Sequence, residues 1–170
     1  KRIFTIFLTL FVASSVWAQV TYPINGIRYS LNQDGGTQTA SVCGVEDKNI
    51  SSINIPSTVY YNNRTWKVIS IKSISGCSNL TSITIPNSVT SLEKEAFSGC
   101  SSLTSITIPN SVTSMGSTVF KNCSSLTSVT IPNSVTSLNG TFYGCSSLTS
   151  ITIPNSVTSL NGTFYGCSSL

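Results

Sequence analysis

Five of the six cysteines fall at positions 77, 100, 123, 145 and 167, in steps of 23, 23, 22 and 22 residues, and the sixth, Cys43, stands apart. Even spacing of this kind is not a metal-binding pattern, since the chain has no Cys-x-x-Cys pair and no histidine to complete a tetrahedral site. The lack of histidine also removes the usual general base and the partner that activates most Ser and Cys nucleophiles. Glu93 and Glu95 are the only close carboxylate pair in the repeated region, but their stretch occurs once and carries its own Lys94, which suits a solvated loop. The expectation is a protein that is not an enzyme and holds no metal or cofactor. In an exported chain six cysteines would ordinarily signal disulfides. One cysteine per repeat at a fixed place instead reads as a column of small, buried, free thiols.

The elements that position this column follow from the repeat itself. "CSSLTSVTIPNSVTSLNGTFYG", Cys123 to Gly144, returns from Cys145 to Gly166 with only Val129 changed to Ile151. Each unit runs Leu-x-x-Ile-x-Ile-Pro-x-x-Val-x-x-Leu and then Phe-x-x-Cys; the first clean copy uses Leu80, Ile83, Ile85, Pro86, Val89, Leu92, Phe97 and Cys100. Apolar residues two apart, with Ser82 and Thr84 alternating between them, predict a half-buried strand over Leu80 to Ile85, stacked as a parallel ladder on its equivalents. Pro86 ends that strand, because proline cannot donate to a ladder, and the Ile-Pro-Asn-Ser segment turns the chain. A second short strand is predicted at Val89 to Leu92, and a helical turn where the sequence reads Glu-Lys-Glu-Ala-Phe. About seven apolar side chains at roughly 1.5–3 kcal/mol each do not offset the ordering of some twenty residues at about 1.5 kcal/mol apiece. A coil is therefore stable only when stacked, and the predicted fold is a β-rich solenoid of 22–23-residue coils.

The frame "LTSITIPNSVTSLEKEAFSGC", in which the Ile-Pro step and the Phe-x-x-Cys closure recur together four times, resembles the BspA-like leucine-rich repeats of bacterial surface proteins. The resemblance runs from about Cys77 to Leu170 and extends more weakly upstream. It implies a right-handed leucine-rich-repeat solenoid used for extracellular binding, without implying a particular ligand.

Upstream of the repeats, Lys1 and Arg2 precede an apolar run, Ile3 to Ala18, that ends in Val16-Trp17-Ala18. This reads as a signal peptide over 1–18, cut before Gln19, which leaves no membrane span in the mature chain. Residues 19–76 read as an N-terminal cap with a degenerate first coil, including β-hairpins around Asn32 to Gly36 and at Asn62-Asn63. Residues 77–170 read as the repeats proper, broken off three residues into a further coil. Without Lys1 and Arg2 the chain carries seven basic and five acidic groups, net +2, mostly in the cap, so no nucleic-acid partner is expected.

With catalysis set aside, function falls to exposed surface. The outward strand positions are Ser82, Thr84, Ser105, Thr107, Ser128, Thr130, Ser150 and Thr152, with Thr81, Thr104, Thr127 and Thr149 at the edge. They form columns of hydroxyls spaced roughly 4.8 Å apart. Threonine also has good strand propensity and serine keeps such a face soluble, so these columns can serve solvation alone. Tyr143 and Tyr165 follow the core Phe in the last two coils only and offer amphipathic contact area at the edge of the strip. The expectation is a secreted or cell-surface adhesion module that binds an extracellular or host-surface protein through this face. The alternatives are a structural stalk that presents another domain, or recognition of a glycan or lattice by the Ser/Thr columns.

Overall fold

A computed structural model describes residues 21–34 and 36–170; the expected signal peptide lies outside them. Among the described residues eleven strands are formed: β1 Tyr22–Ile24, β2 Ile27–Asp34, β3 Thr37–Val45, β4 Ser52–Asn54, β5 Thr58–Tyr61, β6 Arg64–Ile71, β7 Ser82–Thr84, β8 Ser91–Leu92, β9 Ser105–Thr107, β10 Ser114–Met115 and β11 Ser128–Thr130. Among the described residues no helix forms, and none is long and apolar enough to cross a membrane. The chain is a strand-rich stack of repeats.

One sheet ties the N-terminal segment to the repeats. β1, β2 and β3 pair antiparallel, β3 then runs parallel to β6, and β6 continues through β8 to β10 in parallel. β5 folds back antiparallel on the first half of β6 through Asn62 and Asn63, both with positive φ, as the predicted hairpin requires. The β2–β3 hairpin also forms, longer than expected at both ends, whereas β1 was not anticipated. The register places Tyr29, Val42, Ile71, Leu92 and Met115 in one row across the five strands. That row is continuous with the leucine position of the coils, so the hairpins cover the first coil with the same kind of side chain the coils offer one another. Cys43 is the extra residue of a β-bulge, because Arg28 faces Gly44 while Tyr29 faces Val42.

The expected strand ladder is only partly realised. β4 pairs with β7 and β9 with β11, but β7 and β9 exchange no ladder hydrogen bonds, and residues 150–152 form no strand beside β11. The second strand is also shorter than predicted, Ser91–Leu92. Continuous pairing occurs instead on the turn side. There Phe97 N donates to Val119 O, Phe120 N to Thr141 O and Phe142 N to Thr163 O, with flanking amides doing the same in every coil. The coils are thus clamped at the Phe-x-x-Cys turns and splay in alternate gaps along the Ser/Thr face.

The same turns explain why Glu-Lys-Glu-Ala-Phe is not helical. Glu95 has φ 61°, and its amide donates to Ser117 O of the next coil rather than back along its own segment. The equivalents are Thr118 (φ 58°), Gly140 (62°) and Gly162 (62°), which form a left-handed column where glycine fits and a β-branched residue is strained. Thr118 also buries a hydroxyl that meets no partner among the described residues. Thr118→Gly relieves about 1–2 kcal/mol of backbone strain and removes an unsatisfied donor, against about 0.5–1 kcal/mol of added chain entropy. The expected result is net stabilisation of about 1 kcal/mol by urea unfolding. A lower midpoint would show that the added chain entropy outweighs the strain.

Candidate functional site

The eight strand positions named above all lie exposed on one face: Ser82 and Thr84, Ser105 and Thr107, Ser128 and Thr130, Ser150 and Thr152. Pairing sets Ser105 opposite Ser128 and Thr107 opposite Thr130. The apolar residues that alternate with them, Ile106 and Val129, point into the core. The splayed gaps leave two shallow grooves between the columns. One, of about 380 Å³, is bordered by Ser82, Thr84, Ser105 and Thr107; the other, of about 290 Å³, by Ser128, Thr130, Ser150 and Thr152. Asn87 and Asn133 from the Ile-Pro-Asn turns close one end of each.

Hydrogen bonding separates these hydroxyls from the other Ser/Thr columns. Ser101, Ser124, Ser146 and Ser168 each donate to the serine carbonyl of the preceding coil. Ser111, Ser134 and Ser156 donate to Val89, Val112 and Val135 carbonyls. Thr81 and Thr127, at the edge of the strip, donate to Ser51 O and Thr104 O. Those columns fasten coil to coil. The eight strand-face hydroxyls meet no protein partner among the described residues, which leaves both their donors and their acceptors directed at solvent.

Tyr143 and Tyr165 belong to a different part of the surface. They sit in the clamped turns, where Asn122 N donates to Tyr143 O and Gly144 N to Tyr165 O, and neither borders the Ser/Thr grooves. Their rings stack on each other at 4.9 Å and are 37% and 68% exposed; Lys121 Nζ lies 5.6 Å from the Tyr143 ring centre.

The cysteine column lies inside the solenoid. All six cysteines are free thiols. Sγ of Cys123, Cys145 and Cys167 donates to the carbonyls of Phe97, Phe120 and Phe142 at 3.1–3.2 Å, and Cys100 to Ile74 O at 3.5 Å. Burial pushes the Cys100 and Cys145 thiols up to about 12, and the like charge of neighbouring thiols adds to the shift; Cys123 is raised for the same reasons. A thiol held protonated in this way is not a nucleophile at neutral pH. Among the described residues no group of three or more His, Cys, Asp or Glu is placed to hold a metal ion.

Known proteins share this architecture. Among solved structures, a leucine rich cell surface protein from Faecalibacterium prausnitzii A2-165 matches with a TM-score of 0.58 at 26% identity, over 82% of this chain and 44% of that one. This chain therefore spans less than half the length of that relative. A leucine-rich repeat protein from Bacteroides capillosus ATCC 29799 matches at TM-score 0.65 and 24% identity, over 77% of this chain and 96% of that one. The T. pallidum leucine rich repeat protein gives 0.56 and 22%, over 88% and 90%. These last two likenesses speak to the fold alone. No curated protein matches the chain. The model of the BspA type leucine rich repeat region matches residues 45–170 in 6 copies, so the chain belongs to the BspA type leucine-rich repeat family.

Proposed function

We propose that this is a secreted or cell-surface, non-catalytic binding module that holds an extracellular protein partner through the Ser/Thr strand face. The observation that carries the reading is the division of labour among hydroxyls: the columns beside the strip are consumed between coils, while Ser82 to Thr152 on the strip are exposed and unpartnered. An array of this kind is weak at each site and gains affinity along its length, as extended solenoid faces do. The F. prausnitzii neighbour is itself described as a cell surface protein, which supports the surface location. We further read 1–18 as the export signal and 19–76 as the cap.

Changing Thr107, Thr130 and Thr152 together to Lys places bulk and charge in both grooves without touching the core. Binding to an extracellular-matrix protein that the parent chain captures is expected to fall at least roughly tenfold, since buried like charges and lost hydrogen bonds each cost about 1 kcal/mol or more. Unchanged binding of the triple variant, together with loss of binding on substitution of exposed cap residues, would move the site off the strand face.

A further inference from the structure

A cleft of a different kind lies in the N-terminal segment, away from the Ser/Thr face, and its place follows from how that segment's sheet is paired. β1, β2, β3, β6 and β5 are hydrogen-bonded neighbours in that order, so β1 and β5 are the two ends of the row. The rings of Tyr22 on β1 and Tyr61 on β5 nevertheless lie 4.6 Å apart, which requires the sheet to curl until its ends meet. Register puts a set of side chains on the inner face of this curl. Tyr22 stands opposite Tyr29, with Leu31 and Gln33 following at two-residue steps along β2; Tyr61 stands opposite Arg64, with Trp66 two residues further along β6. Tyr22, Leu31, Gln33, Tyr61, Arg64 and Trp66, with Asn62 of the turn, line a cleft of about 250 Å³. That is a little below the roughly 300 Å³ at which drug-sized sites begin, so the cleft has room for one ring-sized group.

The lining combines one positioned cation with an aromatic wall. Arg64 is exposed, and its Nη1 donates to Gln33 Oε1 at 2.6 Å, a contact that reaches from β6 across β3 to β2 and so holds the guanidinium over the inner face. Gln33 is neutral and takes one of the N–H donors, so the charge and the other donors stay with an exposed head group. Among the described lining residues Arg64 alone is charged. Trp66 is buried and its Nε1 is spent on Tyr61 O at 3.2 Å, which makes the indole a fixed apolar floor. Tyr22, Tyr61 and Leu31 are half-buried and present ring and aliphatic surface at the sides, and the exposed amides of Gln33 and Asn62 stand at the rim. A ligand that uses all of these carries an anion for Arg64, a C–H face for the aromatic wall and neighbouring hydroxyls for the amides. A planar guanidinium matches a carboxylate through paired hydrogen bonds. A carboxylated pyranose supplies the anion, the C–H face and the hydroxyls within a single ring. The geometry points to this cleft as a binding site for a hexuronic acid unit, with its carboxylate on Arg64 and its C–H face on the Tyr22–Tyr61 pair. The site is independent of the strand face.

The test titrates the full chain with glucuronic and galacturonic acid, each against its parent hexose, by NMR shift perturbation. The acids are expected to bind roughly fivefold or more tightly than the hexoses, the worth of a charge-assisted hydrogen bond to a solvated guanidinium. That preference is expected to shrink as salt is raised. Arg64→Gln, a change at an exposed side chain, is expected to cancel the preference and leave the hexoses as they were, and Tyr61→Ala to weaken acids and hexoses alike. Hyaluronan and polygalacturonate oligosaccharides then separate an animal from a plant source, and tighter binding of either supports the site. Equal affinity for acid and hexose, no binding of either acid, or an Arg64→Gln variant that keeps the preference would overturn the proposal. So would a blocked glutamate peptide that binds as tightly as the acids, because the cleft would then belong to acidic peptides. The Thr107/Thr130/Thr152 triple variant is expected to keep the acid preference and Arg64→Gln to keep the strand-face partner, so failure of one site is distinguishable from failure of the other.

Discussion

Phe120→Ala is expected to lower the unfolding free energy by about 3–5 kcal/mol, the loss typical of a fully buried aromatic whose surroundings cannot collapse. Phe120 is 0% exposed and lies between two parallel rings, Phe97 at 5.4 Å and Phe142 at 5.7 Å. The amides of Phe97, Phe120 and Phe142 are each committed to a carbonyl of the following coil, so the backbone cannot close over the gap. Phe164 makes the comparison informative. It has the same role in the frame and stacks on Phe142 at 6.0 Å, but it is only half-buried. Phe164→Ala should therefore cost clearly less, in keeping with stability that accumulates from each coil and its neighbours. Equal losses in urea titrations of the two variants would contradict a nearest-neighbour stack.

Much of this architecture is legible from the residues. The Leu-x-x-Ile-x-Ile frame gives the inward positions correctly, since Leu103, Ile106 and Ile108 are all buried while Ser105 and Thr107 between them are exposed. The Asn62-Asn63 turn is readable because asparagine tolerates positive φ and few other pairs do. What sequence cannot give is which backbone segment carries the inter-coil pairing. Residues Ser82 to Thr84 and Phe97 to Gly99 are both geometrically able to pair, and the turns pair in every gap through alternate amides: Phe97 N and Gly99 N donate to the next coil while Ser98 N and Cys100 N close the turn itself. The same limit applies to the candidate site. Thr81 and Thr84 look equivalent as letters, yet the Thr81 hydroxyl is tied to Ser51 O while the Thr84 hydroxyl meets no partner among the described residues. Tyr143 and Tyr165 are recognisable as exposed aromatics, but their separation from the Ser/Thr grooves depends on how the coil closes.

Raising the pH from 9 to 11 is expected to destabilise the chain by several kcal/mol through the cysteine column. Cys100 and Cys145 titrate near 12 in the folded chain, and Cys123 is shifted in the same direction, chiefly because burial penalises the thiolate. Unfolded thiols titrate at about 8.5. Above that value the unfolded state releases protons that the folded state keeps, so unfolding becomes more favourable as pH rises; below it both states are protonated and the contribution is flat. Each such thiol subtracts up to about 1.4 kcal/mol per pH unit across the window, so the three together can remove on the order of 8 kcal/mol between pH 9 and 11. That is comparable with the whole stability of an ordinary domain, about 5–15 kcal/mol. Lysines and tyrosines titrate in the same range, so the deciding measurement is a difference. Cys123→Ala should be less stable than the parent at pH 8, because it loses packing volume and the donor to Phe97 O. Its stability should nevertheless fall more gently with pH, by about 1.4 kcal/mol per unit, since one proton fewer is released on unfolding. Parallel curves for parent and variant would mean that Cys123 ionises as readily in the fold as outside it, and the column would not be the sealed, protonated interior its burial describes.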